Sequence, residues 1–82
     1  MQAQFEYRVC QVQSACVTFV NGDWQGSLPL AADRVDDALR SCSKEWDYLR
    51  AAGDDGWELV AVAQGIGGDA NARILYLRRE RG

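Results

Sequence analysis

The run from Phe5 to Val12 alternates with period two, setting Phe5, Tyr7, Val9 and Gln11 on one side and Glu6, Arg8, Cys10 and Val12 on the other. A period of two is that of a β-strand, and here one face is clearly apolar. Cys16-Val17-Thr18-Phe19-Val20 is a second β-prone run. It leads into Asn21-Gly22, the pair best suited to the positive φ angles of a type I′ turn, so Asp23-Trp24-Gln25-Gly26 is expected to return as the short arm of a hairpin. On so short an arm Trp24 is either a lid over the core or an exposed contact residue.

Ser27-Leu28-Pro29-Leu30 breaks this pattern. From Asp33 onward the apolar spacing becomes helical, through Val35, Leu39, Cys42, Trp46 and Leu49, and that stripe is expected to face the sheet. Asp33, Asp36 and Asp37 suit the N-terminal end of such a helix, where carboxylates complement the free N–H groups, better than they suit a metal cluster. Ser41-Cys42-Ser43 is its weak point, and one long helix or two short ones both fit. Gly53 is expected just past the helix end, with Asp54-Asp55-Gly56 turning the chain.

Trp57 to Ala63 predicts the next strand, with Leu59, Ala61 and Ala63 on one face and Glu58, Val60 and Val62 on the other. Gly65 to Asn71 is a loop; its glycines lack the Lys-Ser/Thr of a phosphate loop and open no helix. Arg73 to Arg79 is the last strand. Both strands are apolar on both faces, and a helix covers only one. The second face has nothing left in the chain to cover it, which predicts a homodimer or higher oligomer packed through the sheet.

The fold class is therefore α+β in one domain spanning residues 1–82. It is a small antiparallel sheet with a β-α-β-β core and an extra N-terminal hairpin, covered on one face by a helix or two short helices. Composition sharpens this. Leu, Ile, Val and Phe supply only 18 of 82 residues, while Ala supplies eleven. A chain of this length buries only about 60% of its unfolded surface, so a thin core makes self-association a natural supplement.

Charge and chemistry narrow the function classes. There is no histidine, which removes the commonest general base, nucleophile activator and metal ligand. Asp, Glu, Arg, Tyr and Cys remain, with no motif-grade spacing, so neither an enzyme nor a cofactor is expected. Cys10, Cys16 and Cys42 are odd in number and lack CxxC spacing, and are read as reduced, structural thiols. The N-terminus resembles no secretory leader, and no apolar run could span a bilayer, so a cytoplasmic protein away from the membrane is expected. Residues 1–72 carry −6 and residues 73–82 carry +3. Arg73, Arg78, Arg79 and Arg81 are thus the only basic patch, read as a solubilising, edge-protecting cluster at a strand end, with a phosphate contact as the other option. The acidic balance argues against duplex nucleic acid.

Phe5-Glu6-Tyr7-Arg8-Val9, Trp46 to Gly53, Gly56-Trp57-Glu58-Leu59-Val60 and Leu75-Tyr76-Leu77-Arg78-Arg79 lie in an order that resembles the small bacterial and phage domain-of-unknown-function family 4177. The likeness covers about two thirds of the chain. It departs from the family over Gln13 to about Ala38, so that residues 13–30 form an extra hairpin outside the shared core. The resemblance implies a β-α-β-β layer and no settled activity. Within the signature, Gly56 allows a tight entry to the strand, Trp57 anchors its start against the helix, and Leu59 continues the buried row. Glu58 projects from the opposite face toward Glu6, Arg8 or the arginines of the last strand, as a cross-strand ion pair or a ligand-binding carboxylate.

Two functions follow as expectations. The first is a small oligomeric interaction module, binding protein through the exposed sheet or the Trp24 hairpin. The second is a binder of an anionic metabolite or nucleotide at a subunit interface, using Trp24, Arg8, Arg73 and Arg78. Tyr7 or Tyr76 could alternatively stack single-stranded RNA. The candidate contacts are Trp24, Glu58, Arg8, Arg73, Arg78 and Tyr76.

Overall fold

The computed structural model describes residues 2–65 and 72–81. Five antiparallel strands, β1 (Gln4–Gln13), β2 (Cys16–Val20), β3 (Asp23–Trp24), β4 (Glu58–Gln64) and β5 (Arg73–Arg81), form one sheet in the order β3-β2-β1-β5-β4. A single 3-10 turn (Ala32–Arg34) leads into the short helix α1 (Val35–Arg40), and α2 (Glu45–Asp54) follows. The molecule is α+β, as its pattern of strands and helix predicts. Its radius of gyration is 13.7 Å, against about 12 Å for a compact chain of this length. The excess fits a sheet whose layers are incompletely covered.

The expected Asn21-Gly22 turn is present, with φ of +51° and +86°. Asn21 also fastens the hairpin to β1, since its side-chain oxygen accepts from the Val9 amide at 2.8 Å. β1 and β2 are joined by a second two-residue turn at Ser14-Ala15, both in the left-handed region.

The helical region resolves into two helices. Between them the backbone is spent on the sheet edge: the Val17 amide donates to the Ser43 carbonyl at 2.8 Å, and the Glu45 amide donates to Ala15 at 2.9 Å. Lys44 is accordingly extended. The expected stripe holds at Cys42 and Leu49 and fails at Val35 and Trp46, and the inward positions run through Ala38, Cys42, Glu45, Leu49 and Ala52 instead. Trp46 is 71% exposed and Val35 41% exposed, while α2 turns Glu45, Tyr48, Leu49 and Ala52 inward.

Gly53 lies inside α2, and the residue past the helix end is Gly56, at φ +92°. The Trp57 amide donates to Ala52 and the Gly56 amide to Gly53, the paired bonds that close a helix on a left-handed residue. This closure drops Trp57 directly against Ala52, in the core, where the sequence places its anchor. Cys10, Val12, Val17, Leu75 and Leu77 complete that core, with Val20, Tyr48 and Leu49 at its margin.

Two strand expectations are corrected. A bulge between Leu59 and Ala61 shifts the β4 register, so that Leu59 and Val62 pair with Leu77 and Leu75, whereas Glu58, Ala61 and Ala63 pair with Arg78, Tyr76 and Ile74. Leu59 continues no buried row: at the sheet edge it stays 44% exposed. The arginine-rich strand protects no edge, because β5 lies between β1 and β4. All three thiols are free and buried. The predicted loop lies, apart from Gly65, outside the described residues.

Candidate functional site

The register of β1, β5 and β4 sorts every candidate residue onto one of two faces. Even positions of β1 and odd positions of β5 point toward α2, as the pairs Cys10 with Leu75 and Glu6 with Arg79 require. Their opposites form the other face. Tyr7 pairs with Arg78, which pairs with Glu58; Val9 pairs with Tyr76, which pairs with Ala61; Gln11 pairs with Ile74, which pairs with Ala63.

The large side chains of this second face are open along these rows. Tyr7 is 60% exposed and Val9 and Tyr76 are each 37% exposed. The patch holds one ion pair, in which Arg78 Nε donates to Glu58 at 2.6 Å. The bond raises the Arg78 guanidinium above its ordinary value. The same guanidinium lies 4.5 Å from the Phe5 ring centroid. One cation is thus both neutralised and placed over an aromatic ring, leaving hydrocarbon and ring surface along these rows with Glu80 as the charge at their rim, opposite Phe5. This is the cross-strand ion-pair role for Glu58.

The helix side uses its charges differently. Arg8 does not neighbour Glu58; it sits under α2, 4.3 Å from the Trp57 ring centroid, and donates to the Tyr48 hydroxyl at 2.9 Å. Arg79 approaches the same indole at 4.5 Å, donating to Glu6 and to the Asp55 carbonyl. Two guanidiniums therefore bracket one buried ring, whose N–H finds no acceptor among the described residues. Burial pushes up the Cys10 thiol and the Tyr48 hydroxyl, which lie 3.7 Å apart. Arg73 is held by Glu45 at the start of α2.

Trp24 belongs to neither cluster. It packs on Phe19 with ring centroids 5.3 Å apart, and its indole N–H donates to the Leu28 carbonyl at 2.9 Å. It is a lid, but over Phe19 and the Gly26 turn rather than over the main core. A Cβ on Gly26 would lie 2.6 Å from Ser41 Oγ and inside contact range of the indole.

The structure thus brings Glu58, Arg78 and Tyr76 together on the open face, with Phe5, Tyr7 and Val9. It sends Arg8 and Arg73 to the opposite face and Trp24 to the far end of the sheet. A separate apolar groove of about 350 Å³ runs past Ala15, Lys44, Trp46, Leu49 and Arg73. Trp46 in its lining is expected from helical spacing to face the sheet and is instead 71% exposed. Among the described residues no helix is long and apolar enough to cross a membrane, and no group of three His, Cys, Asp or Glu side chains is placed to hold a metal ion. No family model, curated protein or solved structure matches the chain.

Proposed function

We propose that this protein is a small, non-enzymatic interaction module that self-associates through the open face of its sheet. The observation that carries this reading is the open face bearing Tyr7, Val9 and Tyr76, with Phe5 half-buried beside them, Arg78 matched by Glu58, and the exposed Glu80 at the rim opposite Phe5. Contiguous aromatic and aliphatic surface gains from being covered, whereas scattered apolar residues need no partner.

A metabolite site drawing on Trp24, Arg8, Arg73 and Arg78 would need groups that lie on two faces of the sheet, which weighs against that alternative. Single-stranded RNA could stack on Tyr7 and Tyr76, but the neutralised Arg78 offers the phosphates little attraction. The three free thiols favour a reducing, cytoplasmic setting. Membership of the domain-of-unknown-function family 4177 forms part of the same proposal, supported by a strand-helix-strand-strand order around Gly56-Trp57-Glu58.

Sedimentation equilibrium at micromolar concentration tests the function. The natural chain is expected as a dimer or higher species, and Tyr7→Asp combined with Tyr76→Asp as a folded monomer. A natural chain that stays monomeric sinks the proposal. Native mass spectrometry of the same sample separates the readings further, since a retained small molecule would favour ligand binding.

A further inference from the structure

The open face is not level from one end to the other. Ladder partners share a face, so one row crosses all five strands: Trp24, Phe19, Gln11, Ile74 and Ala63. Its side chains shrink from an indole on β3 to a methyl on β4. The neighbouring row, Val9 and Tyr76, also ends on an alanine, Ala61. The high end is raised further by the chain itself. The Leu28 carbonyl accepts from the Trp24 indole, and the Leu28 amide donates to Ser41 Oγ at 3.2 Å, which straps residues 26–41 over this end of the face. α1, within that strap, packs on β2. Residues 27–31 of the strap carry no charge, and Leu28 and Leu30 are half exposed. At the low end Ala61 is exposed and Ala63 half-buried.

We infer that two copies meet face to face about a two-fold axis parallel to their strands, so that the strap of each, at Leu28 and Leu30, lies over Ala61 and Ala63 of the other. The inference rests on the self-association proposed above and names its geometry. Shape selects both the occupant and the axis. A two-fold along the strands reverses the strand order of the second sheet and keeps each row in place, which sets the Trp24 end of a row over the Ala63 end of its mate. A two-fold across the strands, the other axis that brings the same faces together, would set strap against strap and hold the tyrosines of the two copies apart. High meets low in only one orientation, and the contact is then isologous, strap on alanines twice. The strands of the two sheets run aligned, as those of stacked sheets do. The area agrees with this occupant. The chain exposes 5746 Å², against about 4,900 Å² for a compact monomer of 9.1 kDa. The excess is close to the roughly 800 Å² that each partner gives to a stable interface.

Cross-linking of the variant carrying both Leu28→Cys and Ala63→Cys with a short bis-maleimide tests this, beside each single variant and the natural chain, whose three thiols are buried. Within one copy the two positions stand at opposite ends of a five-strand row, about 19 Å apart at four strand spacings, so a short linker joins them only between copies. The expected result is a covalent dimer from the double variant and no more than the natural chain's background from either single one. A covalent dimer from Leu28→Cys alone overturns the arrangement, since it sets strap on strap. A natural chain that sediments as a dimer while the double variant yields no covalent dimer overturns the arrangement and leaves face-mediated association standing. A natural chain that stays monomeric overturns both. Leu28→Asp supplies a second reading, because the strap is held by the Leu28 backbone and not by its half-exposed side chain. Its dimer dissociation constant is expected to rise at least about tenfold, and an unchanged constant overturns the strap contact. Should a cysteine variant fail to fold, that constant decides the matter alone.

Discussion

The two faces of the sheet differ less in composition than in what has been done with it. On β1 the face under α2 reads Glu6, Arg8, Cys10 and Val12, and the open face reads Phe5, Tyr7, Val9 and Gln11. By side-chain polarity alone the open face is the better core. Burial follows the helix instead: Ala52, Tyr48 and Leu49 close over Cys10, Val12, Leu75 and Leu77, and the charges of that face are absorbed by pairing Glu6 with Arg79 and laying Arg8 and Arg79 on Trp57. The lesson is that a charged side chain is no bar to a covered face when its head has a carboxylate, a hydroxyl or a ring to meet.

This contrast is most easily broken at its covered side. Leu75, 1% exposed, reduced to Ala should lose about 2–5 kcal/mol of stability in denaturant titration. A small domain has only about 5–15 kcal/mol in all, so a large part of its folded range would go. Tyr76→Ala, one residue along and on the open face, should move the monomer far less and show its effect on assembly.

The arginines allow the same comparison at lower cost. Arg8→Ala removes a guanidinium from Trp57 and from the Tyr48 hydroxyl, and a loss of about 1–2 kcal/mol is expected. Alkaline pH probes the covered face without mutation. Cys10 and Tyr48 are both raised, so the folded state holds protons that the unfolded chain releases. Their contribution is complete below the ordinary thiol value of 9.0 and is lost as pH rises past it. The melting temperature should therefore fall above that pH, and Tyr48→Phe should flatten part of the fall. Glu58→Gln, on the open face, is the smallest expected effect. It breaks an exposed pair, so monomer melting should barely change, and any clear loss should appear in oligomer mass.

Much of this was legible from local pattern. Asn21-Gly22 carries its turn, and with it the short β3, in its own φ preferences; Gly56 supplies the positive φ that closes α2 before Trp57; and β1 announces itself by period, while β2, β4 and β5 do so as apolar, β-prone runs. The helical stripe was misleading at Val35 and Trp46: the inward positions are Ala38, Cys42, Glu45, Leu49 and Ala52, and Ser43 and Lys44 between the helices give their backbone to the β2 end, nearly thirty residues away in sequence. The candidate site was half legible. Glu58 finds its arginine, but which of the arginines shares its face depends on register, and a bulge at Val60 sets that register.

The sequence by itself determined the class of fold, the uncovered second face and the absence of histidine from the chemistry, because period, composition and turn propensity act within a few residues. Which face became core, which strands became edges, and where each arginine lies were decided only by tertiary structure. These depend on strand order and on where α2 comes to rest, and both are settled by contacts between segments far apart in the chain. The same packing seals one edge of the sheet with Ser43 and Lys44 and leaves β4 open at the other.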